Sequence, residues 1–167
     1  MRRLAVLLAV LLLPACYQVE GDGPPAAAAV RVEGVKDGLY RRPDGAEVVV
    51  RWNLAQRRYD VAAKADPAQV PGNASALPIG GRLYLVRYAD LAQLALLASV
   101  DGDDVVLYVP SKAAEQRLLK AHGLSLRPGP INGLTGPGSE VEPYFRDLVA
   151  SGELSEGGRL TYLGPAG

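Results

Sequence analysis

The side chains best suited to covalent or acid–base chemistry are scarce in this 167-residue chain, which contains one histidine and one cysteine. The histidine, His122, precedes Gly123 at the end of a helix-like pattern, where the helix dipole favours a protonated imidazole. A catalytic triad needs a base that a third group orients. The sequence contains neither a G-x-S-x-G nor an S-x-x-K spacing. We therefore predict no catalytic residue and a helix-end role for His122.

The cysteine, Cys16, ends a short N-terminal segment with the features of an export signal. Arg2 and Arg3 are followed by an apolar run over residues 4–13 and then by Pro14 and an alanine. A ten-residue helix is about 15 Å long, roughly half the hydrocarbon thickness of a bilayer, so the run is too short for a lasting membrane span. We predict a secretory signal peptide over residues 1–15.

Residues 13–16 resemble the lipobox of bacterial lipoproteins, in which a small residue precedes an invariant cysteine. The resemblance covers residues 1–16. It implies that Cys16 receives a diacylglyceryl group, that the signal is cut before it, and that the new N-terminus is acylated. Two or three acyl chains give a stable anchor. By analogy with lipoprotein sorting, Tyr17 in place of aspartate implies an outer membrane if the cell has one, with the domain on the extracytoplasmic side. The alternative is an ordinary signal peptide with a chance cysteine.

Metal and nucleotide sites find little support in the sequence. One histidine and a lipidated cysteine do not suffice for a zinc or iron centre. An EF-hand loop that began at Asp101 would need an oxygen ligand at its fifth position, where Val105 stands. The glycine-rich stretch 133–138 lacks the lysine of a phosphate-binding loop. We predict no metal and no cofactor, and a polar turn around Asp103.

Composition predicts a single domain with no affinity for nucleic acid. Without Arg2 and Arg3, the 18 basic residues fall to 16 against 18 acidic ones, a net charge of −2. A nearly neutral chain lacks the basic surface that phosphate backbones require. A lipidated Cys16 leaves no cysteine for a disulfide, so the fold must depend on its apolar core.

The elements that would position a site begin with a tether over residues 16–29, rich in glycine, proline and alanine. A β-meander is predicted over residues 30–64, with strands at 30–35, 39–42, 48–54 and 58–64. A two-residue turn at Ala55-Gln56 would place Trp52 opposite Tyr59 and every large apolar residue of both strands but one on the same face.

A linker is predicted over residues 65–81, because that stretch holds three prolines and three glycines. Residues 82–163 then predict a βαβααβ segment, with helices near 90–98, 111–121 and 143–152 and a closing strand at 159–163. We expect the meander and this α/β part to pack together as one α+β domain over residues 30–167.

The loop over residues 124–138 is the predicted partner-binding region. Loops of this length are usually functional or disordered. Its apolar and polar side chains could form a contact patch with a polar rim; the candidate residues are Arg127, Ile131, Asn132, Leu134 and Thr135. The alternative is that the apolar side chains only hold the loop against the core.

These observations predict a membrane-anchored envelope lipoprotein whose domain is a non-catalytic binding or assembly module. The partner would be another envelope protein or a cell-wall polymer, in addition to the membrane. Two alternatives stay open. One is an envelope hydrolase with paired carboxylates, whose separation a sequence does not disclose. The other is a lipoprotein that binds a small ligand in an apolar pocket.

Overall fold

The computed structural model describes residues 16–19, 29–66, 72–88 and 93–167. Within these residues the chain forms mainly β-strands, together with two short helices. In chain order the elements are β1 (Tyr17–Val19), β2 (Gly38–Arg41), β3 (Glu47–Asn53), β4 (Arg58–Ala63), β5 (Gly72–Gly80), β6 (Leu83–Tyr88), β7 (Leu94–Asp101), β8 (Asp104–Pro110), α1 (Lys112–Ala121), β9 (Ser125–Arg127), β10 (Asn132–Thr135), a 3-10 turn (Gly138–Glu140), α2 (Val141–Ser151) and β11 (Leu154–Gly164).

Eight of these strands close an antiparallel barrel. The order around the barrel is β6-β5-β4-β3-β2-β11-β8-β7, and β7 pairs back with β6. Closure leaves these strands without an open edge that could pair with another chain. The three remaining strands extend from β7, with β1 antiparallel to β7 and parallel to β10, and β9 antiparallel to β10.

The alternating strand directions define two ends of the barrel. We call the end at which β2, β4, β6 and β8 finish the loop end, and the end at which β3, β5 and β7 finish the turn end. Because β11 pairs antiparallel with both β8 and β2, it starts at the loop end and finishes at the turn end.

This architecture corrects the predicted α+β fold, and the predicted linker is one source of the error. Residues 72–80 of that linker form β5, which pairs with β4 on one side and β6 on the other. Ala76 faces the interior of the barrel, whereas Ile79 packs beneath the helices. A register irregularity between Pro78 and Gly80 accommodates the proline within the ladder. Cross-strand pairing therefore outweighs the local loop signal.

The predicted helix near 90–98 is the second source of the error, because β7 occupies residues 94–101. Residues 89–92 lie outside the described residues. Leucine and alanine favour a helix locally, but both faces of this strand are covered. Leu97 packs under the helices and Ala98 packs inside the barrel. A strand that is buried on both sides is a continuous apolar run, and it has no period that distinguishes it from a buried helix.

The predicted register of the β3–β4 hairpin is confirmed. Trp52 lies opposite Tyr59, Val50 opposite Val61, and Val48 opposite a small residue of β4. The Trp52 and Tyr59 rings meet edge to face with their centroids 4.8 Å apart. The alternation of apolar residues therefore agrees with the barrel interior, except at Leu54, which was predicted to end the strand but lies in the turn and is 79% exposed.

Residues 29–37 do not contain the strand predicted at 30–35, and they pack instead at the turn end of the barrel. The backbone N–H of Val32 donates to the Tyr59 hydroxyl at 2.7 Å, and the N–H of Val30 donates to the carbonyl of Ala76 at 2.9 Å. These bonds satisfy backbone groups that a strand partner would otherwise satisfy.

The two helices form a layer on the outer face of the barrel. The predicted helix at 111–121 is confirmed as α1, and the Ser111 hydroxyl accepts the Ala114 N–H at 3.1 Å as its N-cap. The predicted helix at 143–152 is confirmed as α2, which ends at Gly152 with φ of +67°. Both pack on the apolar cluster that includes Leu85 and Leu97.

Candidate membrane-attachment site

Cys16 lies immediately before β1, near the loop end of the barrel. β8 pairs with one edge of β7 from Asp101 back to Leu97, and β1 pairs with the same edge at Ala95 and Leu94. Cys16 is 7% exposed. Burial raises the pKa of its thiol to about 11, and the nearby Arg42 guanidinium of the β2–β3 loop partly opposes that rise. The one cysteine is therefore packed into the fold at this end.

Backbone pairing holds β1 on both sides. Tyr17 pairs with Ala95 of β7 and with Asn132 of β10. The N–H of Val19 donates to the carbonyl of Gln93 at 3.1 Å, just before β7 begins. The small β9–β10 hairpin thus joins the barrel through β1.

The side chains of β1 also belong to the core. The Tyr17 hydroxyl donates to the Glu115 carboxylate of α1. Its ring meets those of Phe145 and Tyr144 of α2 edge to face, with centroids 5.8 and 6.5 Å away. Val19 is buried in the same cluster. Burial raises the pKa of Tyr17 well above its ordinary value.

The tether predicted over residues 16–29 therefore does not start at the cysteine, since Tyr17–Val19 are a strand of the packed domain. Residues 20–28 lie outside the described residues. A sequence signal for β1 exists, because Tyr17 and Val19 alternate with Gln18. The glycines and prolines that follow obscure it, because they separate these three residues from the other strands.

The predicted binding loop at 124–138 contains β9 and β10, and two of the candidate residues have their side chains engaged. Leu134 is buried in the core at 1% exposure, and Leu126 packs against the same cluster. The Thr135 hydroxyl donates to the carbonyl of Ser125 at 3.3 Å. Leu134 therefore supports the alternative interpretation, in which the apolar residues hold this region against the core.

The three other candidates lie closer to solvent. Arg127 is exposed on β9 opposite Gly133, Asn132 is exposed at the start of β10, and Ile131 is half-buried between them. These three positions can still contact a partner, whereas the side chain of Leu134 faces the interior.

His122 joins the two helices through both of its ring nitrogens. Nδ1 lies 2.8 Å from the Glu140 carboxylate and Nε2 lies 2.9 Å from the Asp147 carboxylate. Its side chain is 12% exposed. The bond to Glu140, reinforced by Asp147, raises the pKa of His122 above its ordinary value. An imidazole with both nitrogens engaged has neither one available for base catalysis.

The acidic turn after β7 is held by cations of the protein itself. Arg159 lies 3.0 Å from Asp101 and 3.5 Å from Asp104, and Lys36 lies 2.8 Å from Asp103. In the part of the chain that the structure describes, no three side chains of the metal-binding types converge.

Several other carboxyl groups are stabilised in their charged form. Lys64 lowers the pKa of Glu47, Arg117 lowers that of Glu153, and Arg159 lowers that of Glu156. A general acid in a glycosidase-like mechanism needs the opposite shift. Among the described residues, each carboxyl group with a clearly shifted pKa is shifted downward.

No known protein family, curated protein or solved structure matches this chain. Neither helix of the described chain has the length and apolarity to cross a bilayer.

Proposed function

We propose that this protein is a lipoprotein of the bacterial cell envelope, anchored by acyl chains on Cys16, whose barrel domain is a non-catalytic binding or assembly module. The observation that carries the proposal is the lipobox-like run at residues 13–16, which follows a basic start and an apolar stretch. The first strand of the folded domain begins at the very next residue, Tyr17. A strand that begins directly after Cys16 supports the proposed boundary between export signal and domain at this cysteine.

The described side chains support a non-catalytic role. His122 is bound by two carboxylates, and the acids around Arg159 are paired with it. Ion pairs of this kind favour charged carboxylates, which accept protons poorly and cannot donate them at neutral pH. The paired-carboxylate hydrolase consequently has less support than a binding role.

The membrane anchor is tested by metabolic labelling with an alkyne-tagged palmitate. Wild-type protein should take up label and sediment with membranes, whereas Cys16→Ala should take up no label and should accumulate as uncleaved precursor or as protein released from the membrane. Cys16→Ser is the matched control, since it keeps the size of the side chain and removes the sulfur that is alkylated. Equal label on the wild type and on both variants would refute the proposal. Separation of inner and outer membranes then tests the expected outer-membrane location.

A second candidate function, the binding of a small apolar ligand, is favoured by one observation. Side chains that face the barrel interior, among them Val50, Val61, Val86 and Leu96, keep partial exposure. An eight-stranded barrel is just wide enough to be filled by side chains or to hold one small ligand. Titration calorimetry with a fatty acid tests it. Saturable binding at one site with a negative heat-capacity change would support this function, and absence of heat up to the solubility limit would exclude that ligand class.

A further inference from the structure

We infer that the gap between β7 and β10, which β1 fills, is a binding site for an extended segment of a partner protein that carries an arginine and, two positions later, an aliphatic residue. We call this gap the β1 slot; its walls are Leu94 and Ala95 of β7 and residues 132–134 of β10. The inference rests on the proposed binding role of the domain and deepens it, because it names a surface and the chemistry of a partner. It does not depend on the acyl anchor.

The first step is the backbone of the slot. β8 stops pairing with β7 at Leu97, and among the described residues β10 pairs with β9 and β1 but not with β7. A strand placed between β7 and β10 therefore finds backbone partners on both of its sides, which is the arrangement that β-augmentation uses to bind peptides. Because β1 runs antiparallel to β7 and parallel to β10, the slot also fixes the direction of its occupant.

The second step is the small number of side chains by which β1 is held. The strand has three residues, and two of them, Tyr17 and Val19, are buried in the cluster beneath the helices. Gln18, between them, is half-buried. Alternate side chains of a strand lie on the same face. The slot therefore recognises two positions of an extended segment, separated by one residue.

The third step is the polar chemistry of the pocket that Tyr17 fills. The half-buried Glu115 carboxylate accepts a hydrogen bond from the neutral Tyr17 hydroxyl, and no described cation forms an ion pair with it. Tyr144 is fully buried, and its hydroxyl lies beside that of Tyr17 but makes no hydrogen bond of good geometry with any described residue. A buried hydroxyl without a partner is unfavourable. β1 thus leaves a carboxylate without a cation and a hydroxyl without a bond in its own pocket.

An arginine side chain supplies both missing interactions. Its guanidinium is planar like a phenol ring, and its N–H groups can bond a carboxylate and a hydroxyl oxygen at the same time. Glu115 would gain an ion pair, and the Tyr144 oxygen would accept an N–H. The rings of Tyr144 and Phe145, which surround Tyr17, are also favourable neighbours of a guanidinium. A second copy of β1 would bring the same tyrosine and leave the same groups unpaired, so the fitting occupant is a segment of a different protein.

The experiment empties the slot and offers it three peptides. Gln18→Pro removes the backbone N–H in the middle of β1, and proline is not accommodated between two partner strands. Gln18→Ala is the matched control, which leaves β1 in place. The full chain in detergent micelles is titrated with the acetylated and amidated peptides Ser-Arg-Gln-Val-Glu, Ser-Tyr-Gln-Val-Glu and Ser-Ala-Gln-Ala-Glu. The amide NMR signals of Ala95 and Gly133, on the two walls of the slot, report binding.

In Gln18→Pro the arginine peptide should shift both signals and bind at least about tenfold more tightly than the other two peptides, because a close charge pair gives at least this factor. Combining Gln18→Pro with Glu115→Gln should remove this advantage. In Gln18→Ala the arginine peptide should bind more weakly, since β1 still occupies the slot and is attached to the same chain.

Three results would overturn the inference: no shift of the two signals, equal affinities for the arginine and alanine peptides, or an arginine preference that survives Glu115→Gln. Tighter binding of the tyrosine peptide would assign the slot to β1 of a second copy and would overturn the proposed partner. If Gln18→Pro does not fold, Tyr17→Ala empties the same pocket and is titrated in its place. Palmitate labelling of the same protein separates the proposals: a labelled chain that ignores the peptides refutes the slot alone, and an unlabelled chain that binds the arginine peptide refutes the anchor alone.

Discussion

Replacing His122 with glutamine tests whether the imidazole joins the two helices as a cation. In the folded chain, the ring lies between the carboxylates of Glu140 and Asp147 at hydrogen-bond distance from both. Only the doubly protonated ring can donate both bonds. Glutamine keeps a polar side chain of similar reach but carries no charge, so it removes the ion pairs with little change in packing.

The expected loss follows from these contacts. A pair with a half-exposed carboxylate contributes up to about 1 kcal/mol, and the carboxylates of Glu140 and Asp147 are 41% and 56% exposed. A cation at the end of α1 adds about 0.3–1 kcal/mol. His122→Gln should therefore lower the free energy of unfolding by about 1–2 kcal/mol, whereas the helix-end charge alone predicts no more than about 1 kcal/mol. In a domain of this size the melting temperature would fall by about 2–8 °C.

The effect depends on pH in a defined direction. The folded-state pKa of His122 is raised above the ordinary value of about 6.5, so the folded state binds the proton more tightly than the unfolded state does. The stabilisation is fully present below a pH of about 6.5 and is lost as the pH rises through the folded-state pKa. The difference in melting temperature between variant and wild type should therefore be large at a pH of about 5.5 and small at a pH of about 9.

Lys120→Gln is the matched control, because it removes another cation from the last turn of the same helix. It should cost less, and its cost should change little over this pH range. An equal deficit of His122→Gln at both pH values, or an NMR titration that gives His122 a pKa below 6.5 in the native protein, would refute the reasoning. A loss of function in a normally folded His122→Gln variant would revive an enzymatic role.

Two further predictions concern the barrel and the β9–β10 region. Trp52→Ala should cost about 2–3 kcal/mol in denaturant unfolding, because Trp52 is half-buried but its ring packs edge to face against Tyr59. This is less than the roughly 3–5 kcal/mol of a fully buried aromatic residue. Leu54→Ala, at a residue 79% exposed, should change stability by less than about 0.5 kcal/mol; an equal cost of the two substitutions would contradict the barrel interior described above. Leu134→Ala should lower the free energy of unfolding by about 2–5 kcal/mol. Arg127→Ala combined with Asn132→Ala should leave the melting temperature nearly unchanged. The same double variant should weaken capture of a native partner from detergent extracts. Unimpaired capture by that double variant would count against β9 and β10 as the binding surface.

Local chemistry was sufficient to predict the β3–β4 hairpin and both helices. The hairpin register follows from apolar alternation on either side of a short turn, and its two strands are neighbours in the sequence. Ser111 marks the start of α1, because its hydroxyl accepts a backbone N–H of the first turn. Gly152 marks the end of α2, because it adopts the positive φ that stops a helix. In each case the interacting residues are only a few positions apart, so a single sequence contains the whole signal.

The candidate site also combines features that the sequence predicts with contacts that only the structure shows. The lipobox-like run around Cys16 can be read from consecutive residues. The packing of Tyr17 against α1 and α2 cannot, because its partners lie about a hundred residues further along the chain. The carboxylates on His122 are similarly hidden, since Glu140 and Asp147 reach it only after the chain has passed through β9 and β10.

The sequence by itself predicts an export signal that ends at Cys16, and it determined the scarcity of histidine and cysteine and the elements built from near neighbours. Only the tertiary structure decided that residues 72–80 and 94–101 are strands, that β7 returns to β6 to close a barrel, and that Tyr17–Val19 complete the sheet. The physical reason lies in the source of the stabilisation. A proline-containing stretch and a leucine–alanine run have weak or opposite local preferences, and each becomes a strand because two partner strands satisfy its backbone and two cores cover its faces.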